Sequence, residues 1–270
     1  MSKERIFVFD LDGTILNSKN EFPSETRDAI LKIVEKGDKV VFATGRMHIS
    51  AKKMIDNVFG ERSNAFPIIS YNGAVVYVPD KGFIYEKTIP LDVAHKVIDF
   101  FRERHIHVHS YVDDILYSEK DDDEIKLYSK HADVPYTVVD DLKELKAPIK
   151  LLAIGEQQLL DAIVPVLQSE LNGKASAFKS FSIFLDIIPE GTNKGVALKF
   201  LCDYMGFALS STIVFGDNEN DIFMFDVAGT KITVENAVPR LKEVADFVSK
   251  SNEENGVLFA LAKFFPDYLR

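Results

Sequence analysis

Asp10-Leu11-Asp12-Gly13-Thr14 directly follows the apolar run Ile6–Phe9, so two carboxylates lie two residues apart at the end of a predicted buried strand. A strand would direct residues i and i+2 toward the same side. Two acids held that close repel each other, and such a pair needs a cation or a separation of roles. Because Asp, Gly and Thr also favour turns, a strand that simply runs into a turn is the alternative interpretation.

Two further apolar runs also end in polar residues. Val40–Ala43 is followed by Thr44-Gly45-Arg46, and Ile213–Phe215 is followed by the acidic and amide-rich segment Gly216–Asp221. Between them, Gly191–Gly195 stands at the start of a predicted helix and contains one lysine. Short apolar runs of this kind fit buried parallel strands, and open parallel sheets bind ligands beyond the carboxyl ends of their strands. The sequence therefore predicts a ligand site built from these strand ends.

The four segments, in this order, resemble the four motifs of the haloacid dehalogenase superfamily of phosphohydrolases, and they are most similar to its Cof-type branch. Ser70–Ala74 and Ser251–Val257 add to the similarity. The resemblance implies an α/β fold in which a doubly wound, mainly parallel, Rossmann-like sheet forms the core. It assigns residues 1–83 and 189–270 to that core and residues 84–188 to an inserted α+β cap domain of class IIB that determines substrate specificity.

The resemblance also implies roles for individual residues. Asp10 would be the nucleophile that forms an aspartyl-phosphate, Asp12 would be the general acid and base, and Mg²⁺ would be the cofactor. The implied phosphate-binding residues are Leu11, Thr44, Gly45, Lys194 and Asn220. The implied metal ligands are Asp10, Asp217 and the backbone carbonyl of Asp12, with Asp221 and Asn218 as further ligands or supporting residues.

Two details point to an anion site without the resemblance. Lys194 falls in the first turn of a predicted helix, where the helix dipole disfavours a cation unless an anion is near. The alternative is that Asn193 caps the helix and Lys194 extends into solvent. If a second helix begins near Asn218, Asp217 and Asp221 lie about one turn apart, although acids are also common at ordinary helix starts.

Three other positions leave alternatives open. Arg46 could bind a second anionic group of the substrate or be a surface charge. Asn72 could line the cleft, whereas Asn72-Gly73 between apolar runs is typical of a hairpin turn. Glu235 stands where Cof-type relatives usually have Gly, which puts the close approach of the loop Val234–Ala237 to the site in doubt.

His105, His107 and His109 form the one rival constellation. Histidines at i, i+2 and i+4 share a strand face, and imidazoles can bind Zn²⁺. No acid or cysteine at ligand spacing completes the set in the sequence, so adjacent histidines on a solvated strand are the favoured interpretation.

Residues 84–188 predict a change from alternating strands and helices to an antiparallel sheet with helices on one face. The predicted helices are residues 91–105, 122–131 and 157–171. The predicted strand-like runs are Val108–Tyr117, Ile149–Ile154 and Ser176–Ile188.

Composition limits the classes of partner. The 270-residue chain has a net charge of −10, which argues against nucleic acid or anionic membrane as a partner. It has no apolar run of membrane-spanning length, and the residues before Asp10 do not predict a standard signal peptide. A single cysteine, Cys202, permits no internal disulfide and is consistent with a cytoplasmic location. The oligomeric state is open, and a monomer is compatible with the sequence.

The leading hypothesis is a Mg²⁺-dependent phosphatase of small phosphorylated metabolites, with sugar phosphates as the foremost class and flavin or pyridoxal phosphates as others. The alternatives are a phosphomutase of the same superfamily and a non-catalytic sensor of phosphorylated metabolites. A dehalogenase is disfavoured, because Asp12 supplies an acid that carbon–halogen cleavage does not require.

Overall fold

The computed structural model describes residues 4–269, which form two compact units. Within that range, the first unit comprises residues 4–46, 51–85 and 193–269, and the second comprises residues 47–50 and 86–192. The first unit contains all the strand ends singled out above.

Short strands and helices make up most of the described chain. The strands are β1 (Ile6–Phe9), β2 (Lys39–Ala43), β3 (Ile68–Ser70), β4 (Val75–Val78), β5 (Gly82–Glu86), β6 (His107–Val112), β7 (Ile115–Ser118), β8 (Tyr136–Val138), β9 (Lys150–Ile154), β10 (Ala175–Phe181), β11 (Phe184–Pro189), β12 (Thr212–Gly216), β13 (Thr230–Thr233) and β14 (Phe247–Val248). The α-helices are α1 (Ser24–Glu35), α2 (His48–Phe59), α3 (Leu91–Glu103), α4 (Asp123–Ala132), α5 (Gln157–Glu170), α6 (Lys194–Met205), α7 (Ile222–Val227), α8 (Pro239–Val244) and α9 (Gly256–Phe264).

An eight-stranded sheet forms the centre of the first unit, in the order β14-β13-β12-β1-β2-β3-β4-β5. The pairs from β14 to β3 are parallel, and β3 pairs antiparallel with β4. The carboxyl ends of β1, β2 and β12 therefore lie side by side at one edge of the sheet, because these strands are parallel neighbours.

The apolar runs of these strands are buried on both faces. All four residues of β1 are buried, with Phe7 and Phe9 in one hydrophobic cluster and Ile6 and Val8 in another. The first cluster includes residues of α1, α2 and α9, and the second includes residues of α6 and α7. A continuous apolar strand is stable only when helices cover both faces, so this core is the predicted doubly wound fold.

A six-stranded sheet forms the second unit, in the order β10-β11-β9-β6-β7-β8. One face packs against α3 and α5 in a separate hydrophobic core. The α+β character predicted for this part of the chain is thereby confirmed, together with the α/β class of the core.

Two of the predicted strands in this unit were wrong. Val108–Tyr117 divides into β6 and β7, because Asp113 and Asp114 adopt left-handed backbone conformations with φ of 51° and 60° and reverse the chain. The run 176–188 likewise divides into β10 and β11. β8 was not predicted, and it pairs parallel with β7, so the sheet is not entirely antiparallel.

No α-helix among residues 4–269 is both long and apolar enough to span a lipid bilayer.

Candidate active site

Asp10 and Asp12 lie beyond the end of β1 in different environments. Asp10 is 5% exposed, and its backbone N–H donates to the Phe215 carbonyl at 3.0 Å, which continues the pairing with β12. The chain then turns tightly, because the Leu11 carbonyl accepts hydrogen bonds from the backbone N–H groups of residues 14, 15 and 16. This turn leaves the side chain of Asp12 exposed. The two carboxylates thus lie in different surroundings, since Asp10 is buried and Asp12 is exposed.

Lys194 connects Asp10 to a second buried carboxylate. Its Nζ donates to Asp10 Oδ1 and to Asp221 Oδ1, both at 2.6 Å, and its side chain is fully buried. Burial alone would lower the pKa of Lys194, but the two carboxylates outweigh burial and raise it. Asn193 also caps α6, since its side chain accepts from the Val196 N–H at 2.9 Å. Lys194 therefore contacts carboxylates and not solvent, although Asn193 also caps the helix as the alternative interpretation expected.

Three carboxylates meet at this point of the sheet edge. Oxygen atoms of Asp10, Asp217 and Asp221 lie within 4.8 Å of one another. Asp221 Oδ2 accepts from the backbone N–H of Asp217 at 2.9 Å and of Asn218 at 3.1 Å, in a short 3₁₀ turn that precedes α7. The predicted helix start near Asn218 is therefore present, and it positions the acids.

Crowding and burial make Asp10 and Asp217 hard to ionise. Burial, together with Asp221, Asp217 and Asp12, raises the pKa of Asp10 well above its usual value, although Lys194 opposes this. Burial and the carboxylate of Asp221 raise the pKa of Asp217 to about 6. A divalent cation would remove this repulsion, and oxygen donors of this kind are the ligands that Mg²⁺ prefers. The donor set therefore fits a magnesium ion.

Thr14 and Gly13 support the acid cluster from the turn after β1. Thr14 Oγ1 donates to Asp217 Oδ1 at 2.9 Å. Gly13 has φ of +81°, and a Cβ at this position would overlap the Asp217 carboxylate. Sequence reasoning assigned neither residue a role, although both belong to the motif Asp10–Thr14.

The end of β2 supplies a hydroxyl and a guanidinium. Thr44 is fully buried, and its Oγ1 accepts from the Arg46 backbone N–H at 3.1 Å. The Arg46 guanidinium donates to both oxygens of Asp12, from Nε at 2.8 Å and from a terminal nitrogen at 2.5 Å. The Arg46 side chain is 23% exposed, so it is a partner of Asp12 and not a solvated surface charge.

Asn72 lies in a turn and also contacts a predicted site residue. It lies in the turn between β3 and β4 with φ of 54°, which confirms the predicted hairpin. Its Oδ1 also accepts from Asn220 Nδ2 at 2.8 Å. A Cβ at Gly45 would approach the same oxygen to 2.9 Å. Asn72 thus connects two residues implied to bind phosphate, Gly45 and Asn220.

Leu11 can contribute only through its backbone. Its side chain is fully buried in the core of the first unit. Of the remaining predicted residues, Asn218 accepts from the Glu219 N–H at 2.8 Å and caps the 3₁₀ turn.

The loop Val234–Ala237 reaches the site, contrary to the doubt raised by Glu235. Asn236 Nδ2 donates to the Gly13 carbonyl at 2.8 Å, and the Val238 N–H donates to the Asp217 carbonyl at 2.9 Å. The side chain of Glu235 is exposed, so the extra carboxylate does not prevent the approach. Sequence reasoning missed Asn236, and the only signal was the family-like Asn-Ala pair.

Asn252 supports the same turn from the C-terminal region. Its backbone N–H donates to Asn236 Oδ1 at 2.9 Å, and its side chain donates to the Leu16 carbonyl at 2.8 Å. In the sequence, only the resemblance indicates the segment Ser251–Val257.

The histidines of the second unit differ from the expected solvated row. His105 precedes β6 and is exposed, whereas His109 is fully buried. His107 Nδ1 lies 2.9 Å from Asp122 Oδ2, and Glu124 is close enough for the three residues to offer ligand atoms within 4.8 Å of one another. Acids are therefore near His107, which the sequence spacing did not indicate.

The sheet and the acid–lysine cluster define an α/β protein with an acidic site, suited to a metal ion, at the carboxyl ends of its strands. The family model for haloacid dehalogenase-like hydrolases matches residues 7–261. The solved structure of TM0651 from Thermotoga maritima is 41% identical, with a TM-score of 0.91 over 97% of this chain and 98% of that chain. The chain belongs to the haloacid dehalogenase-like hydrolases.

Two named relatives agree with this assignment. The 5-amino-6-(5-phospho-D-ribitylamino)uracil phosphatase YwtE of Bacillus subtilis is 29% identical over 94% of this chain and 96% of its own length. The HMP-PP phosphatase of Yersinia pseudotuberculosis is 26% identical over 88% of this chain and 86% of its own length. Together with the family match, they confirm the predicted enzyme class, a phosphatase of the haloacid dehalogenase type.

Proposed function

We propose that this chain is a Mg²⁺-dependent phosphatase that hydrolyses phosphate monoesters of small metabolites through an aspartyl-phosphate. The observation that carries the proposal is the buried Lys194, whose ammonium bonds both Asp10 and Asp221 while Asp217 lies beside them. A cation locked between carboxylates at a strand end is suited to a reaction in which an anionic nucleophile meets an anionic substrate.

In the first step, an Asp10 oxygen forms a bond to phosphorus while the bond from phosphorus to the ester oxygen breaks. Asp12 donates a proton to the departing oxygen, so the organic product leaves as an alcohol. In the second step, Asp12 accepts a proton from water, the water oxygen bonds to phosphorus, and the acyl-phosphate bond to Asp10 breaks. Inorganic phosphate is released, and both carboxyl groups return to their starting states.

The charge of the phosphoryl group is balanced by groups that surround Asp10. The Thr44 hydroxyl, the backbone N–H groups of Leu11 and Gly45, the Asn220 amide and the Lys194 ammonium would hold its oxygens. Asp10, Asp217 and the Asp12 carbonyl would bind Mg²⁺, with Asp221 and Asn218 in support. When bound, the ion would neutralise charge on the reacting phosphate and on the crowded carboxylates.

The Arg46–Asp12 pair orients the proposed acid and base. The bidentate contact holds the Asp12 carboxylate in one orientation while leaving it at the exposed side of the turn. Arg46 also lies beside the implied phosphate-binding residues, where it can bind a second anionic group of the substrate.

Small phosphorylated metabolites are the proposed substrates, and sugar phosphates are the foremost class. The names of the two relatives, one of which acts on a phosphorylated ribityl compound, support this class. We assign the choice of substrate to the inserted segment 84–188, and we place the enzyme in the cytoplasm.

The test is phosphate release from a panel of phosphorylated sugars and cofactors, with and without Mg²⁺. Asp10→Asn should abolish turnover, because an amide cannot form the acyl-phosphate. Asp226→Asn is the matched control, since Asp226 is exposed and outside the site. Retained turnover in Asp10→Asn would refute the assignment of Asp10 as the nucleophile. Transfer of the phosphoryl group to a sugar instead of water would identify a mutase.

A further inference from the structure

The second unit brings together a histidine and two acids that are close enough to share one metal ion. His107 begins β6, Asp122 caps α4, and Glu124 lies in the first turn of that helix. One ligand atom from each residue lies within 4.8 Å of the other two. Imidazole nitrogen and carboxylate oxygen are ligands of Zn²⁺, whereas Mg²⁺ is bound by oxygen. The donor set therefore favours a transition-metal ion.

The histidine and the helix cap already lie near the spacing that a shared ion requires. His107 Nδ1 is 2.9 Å from Asp122 Oδ2, and the His107 side chain is only 6% exposed. Asp122 Oδ1 accepts from the Ile125 N–H at 3.0 Å, so one oxygen holds the helix start and the other faces the imidazole. Zinc bonds of about 2.0–2.2 Å place neighbouring ligand atoms on the order of 3–4 Å apart. The exposed side chain of Glu124 can close the remaining distance.

The two acids lack a cationic side chain of their own. They belong to the acidic run Asp121–Glu124, in which Asp121 forms an ion pair with Lys126. Within residues 4–269, neither Asp122 nor Glu124 forms an ion pair with a lysine or an arginine. The helix dipole favours acids at this position. It does not account for a buried imidazole beside them, and that imidazole is the observation that points to a metal.

The residues behind His107 fit the form of the ring that binds a metal. His107 Nε2 lies 3.0 Å from His109 Nδ1, and His109 Nε2 lies 3.0 Å from the Tyr111 hydroxyl. A ring that binds through Nδ1 has its proton on Nε2, from which it donates to His109 Nδ1. Metal-binding histidines usually donate their second N–H to a partner of this kind, which fixes the ring. His109 is fully buried, so it holds this partner in place.

We propose that His107, Asp122 and Glu124 form a Zn²⁺ site in the second unit, with His109 as the positioning residue behind His107. The ion joins the start of α4 to β6, so its role is structural. The site is independent of the proposed phosphatase reaction, since none of these residues belongs to the acidic cluster of the first unit.

The first test measures Zn²⁺ binding to the full chain by equilibrium dialysis. All proteins carry Asp217→Asn, which removes a carboxylate from the acidic cluster of the first unit. Glu124→Gln should weaken Zn²⁺ binding by about tenfold or more, because even the loss of a supporting partner weakens metal binding by roughly 10–100-fold. His107→Gln should weaken it by about 100-fold or more on the same scale. Because Glu124 is exposed, its variant should fold even where the variant of the buried His107 does not.

Two neighbouring residues provide matched controls. Asp123→Asn removes the same charge as Glu124→Gln from the same helical turn, and Asp123 is exposed. His105→Gln removes an exposed histidine two residues before His107. At about 0.15 M ionic strength, each control should change the Kd for Zn²⁺ by less than about threefold, because exposed charges are screened.

The second test follows the protons of the His107 ring in long-range proton–nitrogen spectra, with His107→Gln to assign its signals. An ionised Asp122 can only accept, so the metal-free ring has a proton on Nδ1. Saturating Zn²⁺ should remove that proton and leave the ring protonated at Nε2 alone. A purely structural hydrogen bond to Asp122 would keep Nδ1 protonated.

Three outcomes would overturn the inference. Equal weakening of Zn²⁺ binding in Glu124→Gln and Asp123→Asn would show attraction to an acidic segment and no defined site. A His107 ring that stays protonated at Nδ1 in saturating Zn²⁺ would remove its role as a ligand. Zn²⁺ binding that neither Glu124→Gln nor His107→Gln weakens would place the ion elsewhere. None of these results bears on phosphate release, so the proposed function is tested separately.

Discussion

At the residue scale, the site depends on Lys194 more than on any single carboxylate. Its ammonium is the only cationic group bonded to Asp10 among the described residues, and it has the same role for Asp221. Without it, two buried carboxylates would face each other with no compensating charge.

Lys194→Met should therefore destabilise the protein strongly as well as abolish turnover. We expect the free energy of unfolding to fall by about 3–5 kcal/mol at pH 8, because removal of one partner leaves buried charge uncompensated. The loss should be smaller at pH 5, because the raised pKa of Asp10 favours its neutral form. Urea denaturation at both pH values measures this effect.

Lys199→Met is the control for that variant. Lys199 lies on the same helix but is exposed, so its replacement should change stability by less than about 0.5 kcal/mol. Equal stabilities for the two variants would contradict the role given to Lys194.

Asp217 makes the metal-free protein sensitive to pH. Its pKa is raised to about 6 in the folded state, mainly by burial, while an unfolded Asp titrates near pH 3.9. Between these values the folded chain binds more protons than the unfolded chain. Stability should therefore fall as the pH rises from about 4 to 6, by on the order of 2–3 kcal/mol from this group.

Thermal denaturation in the presence of a chelator, across that pH range, tests whether stability falls as the pH rises. Asp217→Asn should reduce the slope of stability against pH. Asp226→Asn, at an exposed position, should leave this slope unchanged. A metal-free wild type whose stability rises through this window would contradict the prediction. Added Mg²⁺ should oppose the slope, since the ion needs deprotonated ligands.

At the element scale, the start of α6 is held against the β3–β4 turn. Gly73 has φ of +99°, and a Cβ at this position would overlap the carbonyl of Asn193, the residue that caps α6. This close approach of the turn to the helix start fixes the position of Lys194, the residue that follows Asn193.

Gly73→Ala should therefore lower the free energy of unfolding by more than the strain of a left-handed backbone conformation alone. Gly82 also has positive φ, of +77°, but nothing lies within 4 Å of a Cβ there. Gly82→Ala should cost about 1–2 kcal/mol from left-handed strain and should leave kcat/KM unchanged. Gly73→Ala should lose clearly more stability and should also lower kcat/KM, as measured by urea denaturation and phosphate release. Equal effects of the two substitutions would show that the helix start tolerates displacement.

At the scale of the whole molecule, Mg²⁺ should stabilise the folded chain, since its ligands are brought together only by folding. At about one hundred times its Kd, the ion should add about 2.7 kcal/mol, which corresponds to a rise in Tm of roughly 5–10 °C. A calorimetric scan with Mg²⁺, and again after a chelator, measures this shift.

Asp217→Asn should lose most of that rise. The same scans with NaCl at equal ionic strength separate specific binding from screening. A rise in Tm that Asp217→Asn retains would place the ion elsewhere.

Sequence patterns alone predict the strands and turns that form the site. Apolar runs ending in Asp10, Thr44 and Gly216 predicted three buried strands, because short runs bounded by polar residues can be stable only inside a covered sheet. The resemblance supplied Lys194 and Asp217 as members of the same site. The breaks at Asp113-Asp114 and within 176–188 were missed, because an apolar run does not show where a chain reverses.

Which side chains contact each other depends on packing between distant segments of the chain. Asp10 and Lys194 are separated by 184 residues, and Asp12 and Arg46 by 34. The contacts of Asn236 with Gly13, of Asn72 with Asn220 and of His107 with Asp122 likewise depend on how separate segments pack. Local sequence sets the character of a strand or a turn. The charge and burial of each group are set by neighbours that arrive from elsewhere in the chain.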